Sequence, residues 1–265
     1  MGVRTSYEPG TFCWIDLGTT DREGAKAFYQ GLFGWDAVDS PMGEGETYSI
    51  MMVEGESVAA IYDQPQQQRE AGVPPFWFSY VAVASADDAA AAAKEAGGSV
   101  HAEPFDVMEA GRMAVIADPT GAMFGVWQAG ENIGAGRVNE PGALTWNELA
   151  SNDVEAASNF YAELFGWSIE EIDTGGGPRY WSIGHEGGAS GQNGGVREPG
   201  PSEEGLPPFW LPYLAVESTD DTLGNAGELG ATTLVPTMEI PTGKFAVVRD
   251  PQGAVFALFE GGLDD

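Results

Sequence analysis

The chain has 265 residues and a formal charge of -30, from 41 acidic and 11 basic side chains, a field that repels phosphate backbones and anionic lipid and excludes nucleic acid and membrane as expected partners. Hydrophobic residues at 43% and aromatics at 11% are enough for a large core, and the one cysteine, Cys13, excludes an internal disulfide or a cysteine-cluster metal site. No 18-residue apolar run occurs and the opening MGVRTSYEPG has no apolar signal core, so the expectation is a cytoplasmic protein.

Apolar alternation predicts a strand over 12–18 that runs to Asp21. Asp21 is placed to cap a helix over 22–32, whose buried stripe is Ala25, Phe28, Tyr29 and Leu32, and Gly34 stops it. Strands follow at about 47–53 and 58–62. The stretch DQPQQQREAGVPP reads as a polar loop. A strand is predicted from Phe76 to Val83, then an alanine-rich helix at about 87–96 that ends at Gly97-Gly98. Strands near 111–117 and 122–128 close the unit around the turn Asp118-Pro119-Thr120-Gly121.

The same unit then returns. WIDLGTTD at 14–21 is echoed by WNELASND at 146–153, an offset of 132. Phe28-Tyr29 returns as Phe160-Tyr161, LFGW at 32–35 as LFGW at 164–167, and Tyr48 as Tyr180. PPFW at 74–77 returns one residue out of step at 207–210, and DPTG at 118–121 becomes DPQG at 250–253. Such register is the mark of a duplicated domain. The expected division is 8–128 and 140–260, joined by a linker over 129–139.

The FY-x-x-L-F-G-W block and the D-P-x-G turn resemble the glyoxalase/bleomycin-resistance/extradiol-dioxygenase superfamily, also called vicinal oxygen chelate proteins. Both halves carry the resemblance, and it looks closest to the acidic, tandem-domain actinobacterial branch often labelled glyoxalase-like or "hydroxylase". The resemblance implies an α+β fold of tandem domains. Each would hold two βαβββ modules, with sheets curled around a cavity. The superfamily spans lyases, isomerases, dioxygenases, thiol transferases and drug-binding resistance proteins, so the fold alone does not assign a reaction.

Most enzymes of that family hold a divalent metal with histidines and glutamates on the cavity face. The matching positions here are Trp14 and Trp146, Phe78 and Leu211, and Gly125 and Ala257. None can ligate a metal through its side chain. The two histidines, His101 and His185, have no counterpart at the matching position of the other half. The expectation is therefore no metal and no cofactor.

Alternation along the first strand sends Cys13, Ile15 and Leu17 under the helices and Trp14, Asp16 and Gly18 into the cavity. The second half places Trp146 and Glu148 alike. Phe78, Tyr80 and Trp127 should wall the first cavity, and Leu211, Tyr213 and Phe259 the second. Two readings compete. In one, the aromatics make a binding floor for a planar or apolar molecule, and Asp16 or Glu148 orients it or acts as general acid or base. In the other, the cavity has collapsed and each acid only satisfies tryptophan and tyrosine donors. Arg179 and Arg197 lie near loops that differ between the halves, and solvated surface arginine is the expectation for both.

The function expected is metal-independent binding of a hydrophobic or aromatic small molecule, by a tailoring enzyme of secondary metabolism of the hydroxylase type. The alternatives are a non-catalytic drug- or metabolite-binding resistance protein, a structural protein with closed cavities, and a metal-dependent lyase or dioxygenase, which the absent ligands disfavour. Four modules in one chain can complete both pairings internally, so a monomer or a homodimer is expected.

Overall fold

The computed structural model describes residues 2–43, 45–189, 191–200 and 203–262. The first repeat runs β1 (Phe12–Thr19), α1 (Arg22–Phe33), β2 (Asp36–Gly43), β3 (Glu46–Val53), β4 (Glu56–Asp63), a short α2 (Gln66–Glu70), β5 (Phe76–Ala82), α3 (Ala86–Glu95), β6 (Ser99–Val107), β7 (Gly111–Ala117) and β8 (Met123–Ala129). Its eight strands form one curled sheet in the order β2-β3-β4-β1-β5-β8-β7-β6. β1 and β5 pair antiparallel at the centre, and each pairs parallel with the last strand of its own module, β4 or β8.

The second repeat runs β9 (Leu144–Ala150), α4 (Val154–Phe165), β10 (Ser168–Ile172), β11 (Tyr180–Ala189), β12 (Gln192–Arg197), β13 (Phe209–Ala215), α5 (Thr219–Glu228), β14 (Thr232–Ile240), β15 (Gly243–Arg249) and β16 (Val255–Gly261). Its sheet has the same order, β10-β11-β12-β9-β13-β16-β15-β14. These are the tandem βαβββ modules that the repeat and the family resemblance imply.

Local chemistry explains the helices. The Asp21 carboxylate accepts from Gly24 N at 3.0 Å and Asp153 from Ala156 N at 3.0 Å, which satisfies an orphan amide at each start. Gly34 and Gly166 end them in the left-handed region, at φ 69° and 71°.

The sequence reading missed β2 and β6. Both are sheet edges, both are largely exposed, and each carries a proline, Pro41 or Pro104. Edge strands need no apolar alternation and tolerate proline, so neither shows the pattern by which strands are recognised. The glycine-rich stretch HEGGASGQNGG, expected as a loop, is largely the β11–β12 hairpin; Ser190 within that stretch, and Glu44 in SPMGEGETY, lie outside the described residues.

The helices lie between the two sheets. The α1 stripe packs on Ile15, Leu17 and Ile61 of its own sheet and on Leu214, Val248, Phe256 and Leu258 of the other. The α4 residues Ala157, Phe160 and Tyr161 meet Val81, Ile116, Phe124 and Val126 of the first sheet in the same way. The family-signature residues build this interface. Trp35 Nε1 donates to Gly142 O at 2.7 Å, and Trp167 Nε1 to Gly10 O at 2.8 Å. Tyr29 donates its hydroxyl to Asp250 Oδ2 at 3.0 Å and accepts from Trp77 Nε1 at 2.9 Å. The opposite face of each sheet carries a separate apolar cluster.

Candidate functional site

The outer face of the first sheet gathers Trp14, Phe78, Tyr80 and Trp127 into one buried cluster. Cross-strand pairing sets them together, because Trp14 pairs with Tyr80, Asp16 with Phe78, and Tyr80 with Gly125. Asp16 is 4% exposed. Its Oδ2 accepts from the hydroxyls of Tyr48 and Tyr80, both at 2.9 Å, and Trp14 Nε1 donates to the Tyr48 oxygen at 2.9 Å. Its Oδ1 is buried without a hydrogen-bond partner. Burial raises the Asp16 pKa to about 7, against the opposing pull of the Tyr80 and Tyr48 donors. Burial, then the Asp16 charge, pushes Tyr48 and Tyr80 well above the usual phenol range, so both remain donors.

Cys13 is a correction. The β1–β5 register shifts between Phe12 and Trp14, so Cys13 occupies a bulge and its side chain joins the outer cluster, while Phe12 turns toward the helices. A bulge inserts one residue and breaks the strict alternation on which the face assignment rested.

In the second sheet the outer face gathers Trp146, Leu211, Tyr213 and Phe259, with Ala257 at their centre. Trp146 Nε1 donates to Tyr180 Oη at 2.9 Å, repeating the Trp14–Tyr48 bond. The acid differs. Glu148 Oε1 takes Arg197 Nε at 2.5 Å, and Arg197 also binds both Glu203 oxygens, at 2.5 and 2.8 Å. Arg197 is thus not the solvated surface residue expected, since its side chain is only 20% exposed. Register explains why. Gly18 pairs with Tyr62 in the first sheet and Ala150 with Arg197 in the second, so an arginine stands where the first repeat has a tyrosine. Burial alone would raise Glu203, but Arg197 and the Gly200 N–H outweigh it and hold Glu203 below its usual range. Arg179 does lie at the surface, paired with Glu171 at 2.8 Å and set over the Trp181 ring.

The two faces also differ in access. Trp14 and Trp127 are 6% and 8% exposed, whereas their counterparts Trp146 and Phe259 are half-buried; Phe76 and Phe209 are half-buried alike. The segment after β8 accounts for part of this. Trp127 Nε1 donates to Asn132 O, Ala135 N to Cys13 O, and Tyr7 Oη to Ala135 O, which drapes residues 132–135 over the first face.

The residues present do not fit the divalent metal that the fold family implies. Trp14 is committed to Tyr48, Phe78 has no donor, and a side chain at Gly125 would put its Cβ 2.2 Å from the Tyr80 ring. Among the described residues no three of His, Cys, Asp or Glu converge. His101 is exposed beside Ser99, and His185 meets Pro9 O at 2.8 Å.

Two clefts, of about 280 and 320 Å³, lie where the repeats meet. Neither is lined by Asp16 or Glu148. Trp146, however, walls the first, beside Arg4, Thr11 and Thr145. Sequence reasoning did not assign Tyr48, Tyr180, Arg197, Glu203 or Arg4 to a site. The 132-residue echo of Tyr48 in Tyr180 was the available signal for the first two. The others depend on pairing register and on the path of the N-terminal arm.

Comparison with known proteins agrees with this fold. The profile of the Glyoxalase/Bleomycin resistance protein/Dioxygenase superfamily matches residues 11–126 and 143–258. A Mycobacterium tuberculosis protein named "Putative glyoxylase CFP32" is 40% identical over 262 residues, covering 98% of each chain. The "Anthracycline biosynthesis protein DnrV" of Streptomyces peucetius is 35% identical over 268 residues, covering 97% of this chain and 95% of that one. Among solved structures, the Mn(II)-bound glyoxalase of Novosphingobium aromaticivorans superposes with a TM-score of 0.66 at 16% identity, over 96% of this chain and 83% of its own. The 2,3-dioxygenase LapB of Pseudomonas sp. KL28 does so with 0.66 at 13%, over 98% and 95%. By sequence and by fold, the chain belongs to the glyoxalase/bleomycin resistance protein/dioxygenase superfamily.

Proposed function

We propose that this chain is a metal-independent binder of planar aromatic small molecules, acting among the tailoring proteins of secondary metabolism, and that the outer face of the second sheet takes the ligand. The observation that carries the reading is the unequal pair of faces. Trp146 and Phe259 stay half-buried beside a charge-compensated acid, whereas Trp14 and Trp127, which hold the matching positions of the first face, are closed. A protein that keeps large aromatics half-exposed on one face supplies a stacking surface. Glu148, held by Arg197 and flanked by the Tyr180 and Tyr213 hydroxyls, orients a polar ligand edge rather than transferring protons. The kinship with an anthracycline biosynthesis protein supports a polycyclic aromatic ligand class.

The test is titration with 1,4-dihydroxyanthraquinone, read by calorimetry. Binding is expected, weakened about tenfold by Phe259→Ala, a loss of the size expected for one aromatic wall, and unaffected by Met113→Ala on the first sheet. Equal loss in both variants, or no binding by the wild type, sinks the reading.

A further inference from the structure

The two repeats differ at one place that this reading does not use. In the first repeat, three residues before Asp16 and three before its partner Ala60, stand Cys13 and Ser57. A segment of chain is seated on them. Ala135 N donates to Cys13 O at 2.8 Å, Gly136 N to Ser57 O at 2.8 Å, and Ser57 Oγ to Gly134 O at 3.1 Å. In the second repeat the matching positions, three before Glu148 and its partner Gly195, are Thr145 and Gln192. There, both line the 280 Å³ cleft instead. A cleft thus lies in the second repeat at the positions that the first repeat covers with its own backbone.

The slot carries charge. Among the described residues, eight of the eleven basic side chains make ion pairs; Arg4, Arg69 and Arg249 do not. Arg4 lines the slot, half-buried, held by its backbone N–H on Gly136 O at 2.8 Å. In a chain of charge -30, a half-buried arginine with no carboxylate partner among the described residues is a group prepared for an anion. Thr11 Oγ1, also in the lining, is buried with no hydrogen-bond partner. Trp146 forms the wall and belongs as well to the aromatic face described above.

We propose that this cleft is the polar end of the ligand site, with Arg4 and Thr11 receiving the carboxylate of a planar aromatic acid whose ring lies against Trp146. The inference rests on the aromatic reading of the second face and narrows its ligand class from planar aromatics to aromatic acids. Glu8, exposed at the same rim, disfavours dianions and points to a monoacid.

Two probes of one shape separate the outcomes, 2-naphthoate and 2-naphthamide, each titrated by calorimetry into the intact chain. Naphthoate is expected to bind more tightly. Arg4→Gln is expected to weaken naphthoate about tenfold, the weight of a charge-assisted hydrogen bond, and to leave naphthamide unchanged. Thr145→Trp, which fills the cleft from the bulge in β9, should weaken both. Equal affinity for the two probes with no effect of Arg4→Gln overturns the carboxylate site and leaves the aromatic reading standing. Failure of both probes to bind the wild type overturns both readings.

Discussion

At the scale of single residues the two carboxylates have opposite physics. Asp16 is buried with two phenolic donors and no cation; Glu148 is buried with one. The consequences can be measured. The folded Asp16 carboxyl titrates at about 7, against 3.8 for the unperturbed group. Between those pH values the folded chain holds a proton that the unfolded chain has released. Stability from this group is therefore full below the ordinary carboxylate pKa and is lost as pH rises through about 7. Asp16→Asn removes that dependence. Urea denaturation of the variant should show a flatter stability profile between about pH 4 and 7, with at most about 4 kcal/mol of slope removed; a profile parallel to wild type sinks the assignment. Arg197→Met does the converse in the second repeat. It leaves Glu148 and Glu203 without their cation, and about 3–5 kcal/mol of destabilisation follows at neutral pH. Glu148→Gln in the same background should restore part of it, and an additive pair of losses would show that the ion pair is not coupled.

Elements, rather than residues, decide what the family signature is for. The D-P-x-G motifs read in the sequence as turns between the last two strands, and each is also a connector between repeats. Asp250 Oδ1 accepts from the amides of Gln252, Gly253 and Ala254, which closes the β15–β16 turn and leaves Oδ2 for Tyr29 on α1. The mirror turn is tied less completely. Asp118 Oδ1 takes the amides of Thr120, Gly121 and Ala122, but Oδ2, near Tyr161, is buried without a partner of hydrogen-bonding geometry. Tyr29→Phe should therefore cost about 1–3 kcal/mol, the penalty of stranding a buried acceptor, and Tyr161→Phe less. Denaturation midpoints of the two variants check the order, and the reverse order sinks the argument. The same elements show how much the sequence could reveal. Helix α1 was legible from its capping aspartate, terminal glycine and apolar period, α3 from its alanines and terminal glycines, and the central strands from their apolar runs. Edge strands β2 and β6 were not, since exposure erases the alternation. The aromatic and acidic pair of β1 was legible as a face. Its bulge, and the Arg197 that a neighbouring strand brings under Glu148, were not, because register is a tertiary quantity.

At the scale of the whole molecule, duplication has produced something other than two domains side by side. Each repeat lends its first helix to both sheets, so neither sheet covers its apolar face alone. The α1 stripe would lose Leu214, Val248, Phe256 and Leu258 if the second repeat were absent. Trp35 would lose the Gly142 carbonyl, and Tyr29 its aspartate, leaving buried donors unpaired. The N-terminal arm adds a further tie: Val3 bridges to Arg137, Gly2 N donates to Glu140 Oε1 at 2.7 Å, and Asn193 holds both Phe12 N and Gly10 O. A large aromatic core residue contributes about 1.5–3 kcal/mol through burial, and several such residues straddle the interface. A repeat separated from its partner would thus forfeit more than the net stability of an ordinary domain, about 5–15 kcal/mol. The expected behaviour is one cooperative unfolding transition for the full chain, the same by tryptophan fluorescence and by circular dichroism. Residues 1–138 made alone should show no cooperative transition and should bind a hydrophobic dye. Mixing that piece with residues 139–265 should restore the transition, because the missing faces are complementary. A stable, cooperatively folding first repeat on its own would mean that the shared helices are ornament, and that each sheet carries its own fold.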